Sequence, residues 1–447
     1  MIKFGFIKML MLALLWGEGA KDAEITILCT NDMHGSIENF PRLSAYYKKL
    51  KAENPHTFLF SDGDLFSGNP LVDHYPEKGY PIVDIMNKTG YCLSSVGNHE
   101  FDYGQKTLND RIEQAGFQFI SANIKYEEGA ALKPLKPYRT FGINGVTMSV
   151  LGLTEVGSGG IPSTHPDNVT GLKFVPPVKA AGEYSFLRSS DVFVVLSHSG
   201  VERDVEMAEK YPEIDVILGG HSHTKITNGM VKNGVLITQA YAKLEYVGET
   251  RISVKKGKIV SKTNRLVNLN ELEDEDPEIR KLVDSYKASD RGNRVIGQAV
   301  TKISGKQKLG ALMTDALTEM LNLDIAFLNP GGIRINSIPK GDITLNTVYT
   351  LDPFGNDVVK MTMSYSEIEK FLLKHQTILV SGITCVITYD GKKKSVKITD
   401  RNGAALDKSK KYTVGMNSYI YSTYKFAHED AGAAMNVNTA DVLIEFI

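Results

Sequence analysis

The chain has 447 residues, 42% of them hydrophobic and 23% charged, with a formal net charge of -1. At roughly 100–200 residues per domain this is length for two or three domains, each able to bury a core without disulfide staples. The balanced charge excludes a globally basic face for a nucleic-acid backbone or an anionic membrane, so attraction for an anionic substrate has to be local.

At the N-terminus Lys3 and Lys8 precede an apolar run from Met9 to Trp16, and the small residues Gly17, Gly19 and Ala20 follow. This reads as a secretory leader over residues 1–22, with cleavage near Ala20 to Ala23. The run is too short to stay in a membrane as a span. No cysteine follows it closely, which argues against a lipid anchor. The expectation is a secreted protein, periplasmic in a Gram-negative bacterium, with no stable membrane span.

A repeated pattern then begins. Glu24 to Thr30 is β-branched and apolar and stops at Asn31-Asp32. Thr57 to Ser61 stops at Asp62-Gly63-Asp64, and Tyr91 to Val96 stops at Gly97-Asn98-His99. Val192 to Ser197 stops at His198, and Ile214 to Leu218 stops at Gly219-Gly220-His221. Each is a short strand followed at once by polar residues and glycine. Helix-like stretches lie between several of them, at Arg42 to Ala52, Gln105 to Gln114 and Arg203 to Lys210. Strands alternating with helices suggest sheets layered with helices, and in such folds ligands gather where the strands end.

From Val267 to Asn293 the composition turns charged and helix-forming, with Pro277 near the start of a linker helix. Apolar elements then resume: a helix over Leu309 to Leu321, a strand over Ile325 to Leu328, a helix over Ser366 to Lys374 and a hairpin over Cys385 to Thr399 turning at Asp390-Gly391. Cys29, Cys92 and Cys385 all sit in strand-like apolar surroundings and read as small buried hydrophobes; their spacing supports no disulfide.

The polar strand ends carry the chemistry. They are Asp32-x-His34, Gly63-Asp64 with Gly68 following, Gly97-Asn98-His99-Glu100 with Asp102, His198, and Gly219-Gly220-His221-Ser222-His223. Carboxylate, amide oxygen and imidazole are the donors that divalent cations take. Two cations ~3.5–4 Å apart, sharing a carboxylate, stabilise both the attacking and the leaving oxygen of a displacement. Any one motif alone has a plain explanation as a turn, a helix cap or a tight loop. The chain has only 10 histidines, however, and His34, His99, His198, His221 and His223 all fall at these strand ends. That concentration is what chance does not supply.

In this order the motifs resemble the calcineurin-like metallophosphoesterases, and the linker and second half resemble the secreted 5′-nucleotidase / UDP-sugar hydrolase family. The resemblance implies a four-layer α/β/β/α sandwich over residues 23–270, a linker helix over 271–294, and a smaller α+β substrate-binding domain over 295–447. It implies two divalent ions, of Zn, Mn, Mg or Fe, one held by Asp32, His34, Asp64 and His223 and the other by Asp64, Asn98, His198 and His221. His99 would donate to the phosphoryl or leaving-group oxygen, and Asp102 would orient it. Many 5′-nucleotidases have Gln or Asn where His223 stands.

In the second half, Asn329-Pro330-Gly331-Gly332-Ile333-Arg334 resembles the family's N-x-G-G-x-R loop, Pro353-Phe354-Gly355-Asn356 its P-F-G-N motif, and Asn417-Ser418-Tyr419 its N-x-[YF] segment. By that resemblance Asn329 and Arg334 bind substrate while Phe354 and Tyr419 flank a base; core packing is the alternative for both rings. The chain departs from the family twice. Ser422 to Phe426 stands where a Gly-Gly-Asp-Gly-Phe loop holds ribose, with Lys425 near the place of its Asp. Only Lys306 and Lys308 stand where the family has an arginine before the Leu309-Gly310 helix.

The function expected is phosphomonoester hydrolysis by a metal-bound water, foremost on nucleoside 5′-monophosphates and not on polymeric nucleic acid. The alternatives are a UDP-sugar, cyclic-nucleotide or non-nucleotide phosphoester on the same centre, and a non-catalytic secreted binding protein.

Overall fold

The first strand sets the pattern for the rest. In Ala23–Thr30 the side chains of Ile25, Ile27 and Cys29 enter one buried cluster and Leu28 enters another, as the two-residue period of a strand requires. This computed structural model describes residues 21–289, 292–391 and 393–447. The expected leader lies, for residues 1–20, outside the described residues.

Two six-stranded sheets make up the first domain. One runs in the order Lys258–Asn268, Tyr246–Lys255, Ala23–Thr30, Thr57–Ser61, Leu93–Ser95, Gln118–Ile120. The other runs Met230–Lys232, Val235–Gln239, Val216–Gly219, Val192–His198, Val146–Thr154, Tyr138–Ile143. They face each other over a core that includes Ile25, Ile27, Phe60 and Leu93 from the first and Val150, Val194, Leu196 and Leu218 from the second. Helices cover both outer faces. Phe40–Glu53 and Tyr80–Thr89 lie on Leu28 and Leu59, while Pro177–Glu183 and Val201–Lys210 lie on Phe193, Val195 and Ile217. The layers are α/β/β/α, as expected.

Parallel pairing matters most for function. Ala23–Thr30, Thr57–Ser61, Leu93–Ser95 and Gln118–Ile120 are successive parallel neighbours, and so are Val146–Thr154, Val192–His198, Val216–Gly219 and Val235–Gln239. Their C-terminal ends therefore open on one edge of the sandwich, where the loops after them meet. The expected strand over Tyr91 to Val96 is shorter, Leu93–Ser95.

The charged segment after residue 267 forms the helix Pro277–Ser289. Its Ile279, Val283 and Tyr286 are buried in the first domain's core, and the Tyr286 hydroxyl donates to Asp84 Oδ2 at 2.8 Å. Beyond it, a five-stranded sheet runs Leu379–Ser381, Ile325–Leu328, Lys411–Asn417, Asp357–Ser364, Ala433–Asn438. Lys306–Met320 and Thr439–Phe446 pack on one face through Leu309, Met313, Leu317 and Leu443; Tyr365–Lys374 packs on the other through Ile368 and Phe371. Ser364 and Glu367 close a capping box on that last helix. The hairpin pairs Ile383–Asp390 with Lys393–Asp400 and turns where expected. Among the described residues no helix is long and apolar enough to cross a membrane.

Candidate metal centre and active site

The expected donors converge. Asp32, His34 and His223 offer ligand atoms within 4.8 Å of one another, and so do Asp64, His198 and His221. His34 Nε2 lies 3.0 Å from His223 Nε2, and His223 Nε2 lies 3.3 Å from Asp32 Oδ1. Asp64 Oδ2 is 3.1 Å from His198 Nε2, and Asn98 Oδ1 is 3.0 Å from His221 Nδ1. His99 also comes within reach of His34 and Asp64.

The donor set fits a cation on chemical grounds. His34 Nδ1 faces the carbonyls of Phe66 and Ser67 at 3.3 and 3.0 Å, and His198 Nδ1 faces the Asp62 carbonyl at 2.5 Å. A ring nitrogen facing a carbonyl must carry the hydrogen, so Nε2 is the atom each ring has left to offer a cation. Burial lowers the His198 pKa, but the charges of Asp64 and Asp32 outweigh it and raise it well above the usual histidine range. His198 Nε2 is buried and has no hydrogen-bond partner, although a carboxylate oxygen is beside it. Burial, then the His99 charge, holds His34 well below the usual histidine range. Burial, then His198, pushes His221 down to about 4. Both are neutral near pH 7, the form in which imidazole binds a metal.

The backbone is held in an unusual shape to achieve this. Asp32, His34, Asp64, His221 and His223 have φ of 50, 48, 53, 70 and 50°, all in the left-handed region. Such residues persist only where the surroundings fix them. Glu100 does much of that fixing: its buried carboxylate accepts from the backbone amides of Asp64 at 2.9 Å, Leu65 at 2.6 Å and Gly97 at 2.6 Å. Burial, then the Asp64 charge, raises Glu100 to about 7. A Cβ on Gly220 would stand 2.8 Å from His198 Nδ1 and 2.9 Å from Asp62 Oδ2, so only glycine lets that loop close on the donors.

His99 and Asp102 pair as expected, Nδ1 to Oδ2 at 2.6 Å, and His99 Nε2 looks toward Asp64 Oδ2 at 4.0 Å. Burial lowers the His99 pKa, but the charges of Asp102 and Asp64 outweigh it and the net direction is up. For Asp64 burial acts upward, but His198 and His99 hold it well below the carboxylate range.

A cleft of about 290 Å³ opens over His99 and is closed by the second domain. Asn329, Arg334, Phe354 and Tyr419, all expected from the sequence, line it. Arg334 Nη2 is 3.5 Å from His34 Nε2. The Phe354 ring lies 5.9 Å from the His99 ring at 21°, with the Arg334 guanidinium 5.6 Å from its centroid. The buried Asn329 accepts from Asn417 Nδ2 at 2.9 Å. Lys425 is not on the lining; its carbonyl accepts from Lys374 Nζ. Lys306 Nζ donates to the Pro330 carbonyl at 3.1 Å and so braces the Arg334 loop from behind.

Several site residues escaped the sequence reading. Glu155 directly follows the strand Val146–Thr154 and accepts from the Ser163 amide at 2.7 Å, while the Ser163 carbonyl accepts from Asn98 Nδ2 at 3.2 Å. A sixth apolar run stopping at a carboxylate was a usable signal. Thr164, His165 and Asn168 also line the cleft, as does Asn356, which stands in the P-F-G-N motif without an assigned role. The first three stand in an irregular stretch that carries no periodicity to read.

Comparison with known proteins points to the same two-domain fold. The family described as calcineurin-like phosphoesterase matches residues 25–225, and the 5′-nucleotidase C-terminal domain matches residues 290–425. The chain is 26% identical to the trifunctional nucleotide phosphoesterase protein YfkN of Bacillus subtilis, an alignment covering 89% of this chain and 32% of that protein. It is 28% identical to protein UshA of Yersinia enterocolitica, covering 80% of this chain and 77% of that one. A 5′-nucleotidase precursor from Thermus thermophilus has the same fold, with a TM-score of 0.82 at 24% identity over 95% of this chain and 96% of the other.

Fold and donor set together define a metal-dependent phosphoesterase, an enzyme that uses divalent metal ions. The chain belongs to the 5′-nucleotidase family, in which a calcineurin-like phosphoesterase domain is joined to a 5′-nucleotidase C-terminal domain.

Proposed function

We propose that the chain is a secreted 5′-nucleotidase-like hydrolase that releases phosphate from nucleoside 5′-monophosphates with two divalent ions. Asp32, His34, Asp64 and His223 would hold one ion; Asp64, Asn98, His198 and His221 would hold the other. We place the divide between the domains at residues 271–294. The observation that carries the reading is that both donor groups open on the same cleft as His99 and Phe354.

Bound there, such ions supply Lewis acidity toward phosphoryl oxygens and acidify water near neutral pH. The remaining work falls to this chain's own groups. His99, held by Asp102 through Nδ1, presents Nε2–H to a phosphoryl or leaving-group oxygen. Arg334 stands beside His34, where a guanidinium can take two non-bridging oxygens. Phe354 and Tyr419 offer ring faces to a base; such stacking is worth ~1–3 kcal/mol. The second domain closes over these groups and limits water.

The test is phosphate release from AMP, GMP, CMP and UMP by purified protein supplied with Mn²⁺, Zn²⁺ or Mg²⁺, alongside metal analysis. A metal-replete protein that releases phosphate from none of them rejects the nucleotidase reading.

A second reading has one observation in its favour. The second domain's share of the cleft, Asn329, Gly331, Gly332, Arg334, Phe354, Asn356 and Tyr419, contains no carboxylate to accept from a ribose diol. A cyclic nucleotide or a non-nucleotide phosphoester, neither of which presents a free ribose diol, would suit that wall, whereas a UDP-sugar on the same centre would still bring the diol. A substrate panel in which one of these exceeds AMP in kcat/KM favours it.

A further inference from the structure

Ser67 touches both parts of the site. Its carbonyl lies 3.0 Å from His34 Nδ1, and its hydroxyl donates to Asp102 Oδ2 at 2.6 Å. The residue is 0% exposed and sits at φ 63°, a left-handed conformation uncommon for a non-glycine residue. Glycine would adopt it freely but has no hydroxyl. Ser67 is itself fixed from behind: its amide donates to Asp73 Oδ1 at 3.1 Å, the Gly68 amide donates to Asp73 Oδ2 at 2.8 Å, and the Tyr103 hydroxyl donates to Asp73 as well.

Asp102 needs such a reference. Its Oδ2 accepts from His99 at 2.6 Å, a bond that by itself leaves the carboxylate free to turn about its stem. Ser67 shares Oδ2, and Thr164 Oγ1 donates to Oδ1 at 2.9 Å, so the plane of the group is set from both ends. Thr164 belongs to an irregular loop, whereas Ser67 belongs to the loop that already fixes His34.

We propose that Ser67 is a positioning residue: its hydroxyl orients the Asp102 carboxylate, and through it the His99 ring, with respect to the donor group that contains His34. The inference rests on the reading that His99 and Asp102 work on the substrate. Ser67→Ala isolates it, because alanine keeps the backbone, the Cβ and the carbonyl that faces His34, and removes only the hydroxyl.

The experiment uses the full chain as wild type, Ser67→Ala, Asp102→Ala and the double variant. Each is assayed on AMP and on 4-nitrophenyl phosphate with saturating Mn²⁺, and bound metal is measured after desalting. In Ser67→Ala kcat falls about tenfold while KM and bound metal stay at the wild-type level. In the Asp102→Ala background the same substitution costs nothing more, the non-additivity expected of a residue that acts through another. Wild-type kcat in Ser67→Ala with Asp102→Ala impaired overturns the inference alone. So do losses that multiply in the double variant, or a fall in bound metal that tracks kcat, since Ser67 would then act through His34. Wild-type kcat in Asp102→Ala overturns the reading beneath it as well.

Discussion

His74 and Tyr349 lie ring against ring across the two domains, centroids 3.8 Å apart and planes 27° from parallel. His74 follows the helix Pro70–Asp73 of the first domain, and Tyr349 belongs to the helix Leu345–Leu351 of the second. Burial, then Lys78, lowers His74 to about 4, so the ring is neutral near pH 7. Aromatic pairs add ~0.5–1.5 kcal/mol beyond their buried area. Tyr349→Ala should therefore loosen the approach of the domains, raising the radius of gyration in small-angle X-ray scattering and raising KM more than it lowers kcat. The pKa is lower folded than unfolded, so this support is fully present above pH 6.5 and is lost as pH falls through about 4.

Asp64→Ala and His99→Ala should separate binding from chemistry. Asp64 stands in two of the three donor groups, one with His34 and His99 and one with His198 and His221. Its loss should empty the centre and remove the stabilisation that bound metal gives, ~2.7 kcal/mol at a hundredfold excess over Kd. Chelation of the wild type should lower Tm in the same way. His99→Ala should keep its metal and lose ~10²–10⁴-fold in kcat. Calorimetry with and without EDTA, and metal analysis of both variants, check this.

Phe354→Ala should distinguish nucleotides from small aryl esters. The ring lines the cleft beside His99 and under Arg334. Loss of a stacking face costs ~1–3 kcal/mol per base, about 5- to 150-fold in kcat/KM for a nucleotide. Activity on a small alkyl phosphate should change far less. Equal losses on both substrates would mean that the ring braces the catalytic groups and does not meet a base.

Asp352 gives a pH signature to the loop that carries Phe354. It is 3% exposed and accepts from the Thr439 hydroxyl. Burial raises its pKa from 3.8 to about 6. The folded value exceeds the unfolded one, so its favourable contribution is fully present below about pH 4 and is lost as pH rises through about 6. The span is on the order of 3 kcal/mol. The stability difference between wild type and Asp352→Asn, measured by urea unfolding at pH 4.5 and pH 8, should shift toward the variant at the higher pH.

Sequence and structure agree most where one face of a strand decides. Glu24 to Thr30, Thr57 to Ser61 and Val192 to Ser197 were legible because an apolar run ended abruptly on a donor, and each is a strand that delivers that donor to the edge of a sheet. Arg334 and Phe354 were legible only through resemblance, since a lone Arg or Phe in a loop has no local signature. The groups that hold the donors in place were not legible. Glu100 stands inside a motif, but nothing in Gly97-Asn98-His99-Glu100 tells that its carboxylate turns back to three backbone amides. Ser67, Thr164 and Asn168 reach Asp102 through tertiary folding alone, from 35, 62 and 66 residues away.

The left-handed backbone at Asp32, His34, Asp64, His221 and His223 has an evolutionary consequence. Asp, Asn and His tolerate that region several-fold better than other non-glycine residues, and branched or bulky side chains are true outliers there. Drift at these positions is thus filtered twice, once by what a cation accepts and once by what the main chain permits. A change of metal preference here would have to come from exchange among a few short polar side chains, or from neighbours such as Glu100 that decide how far the loops may open.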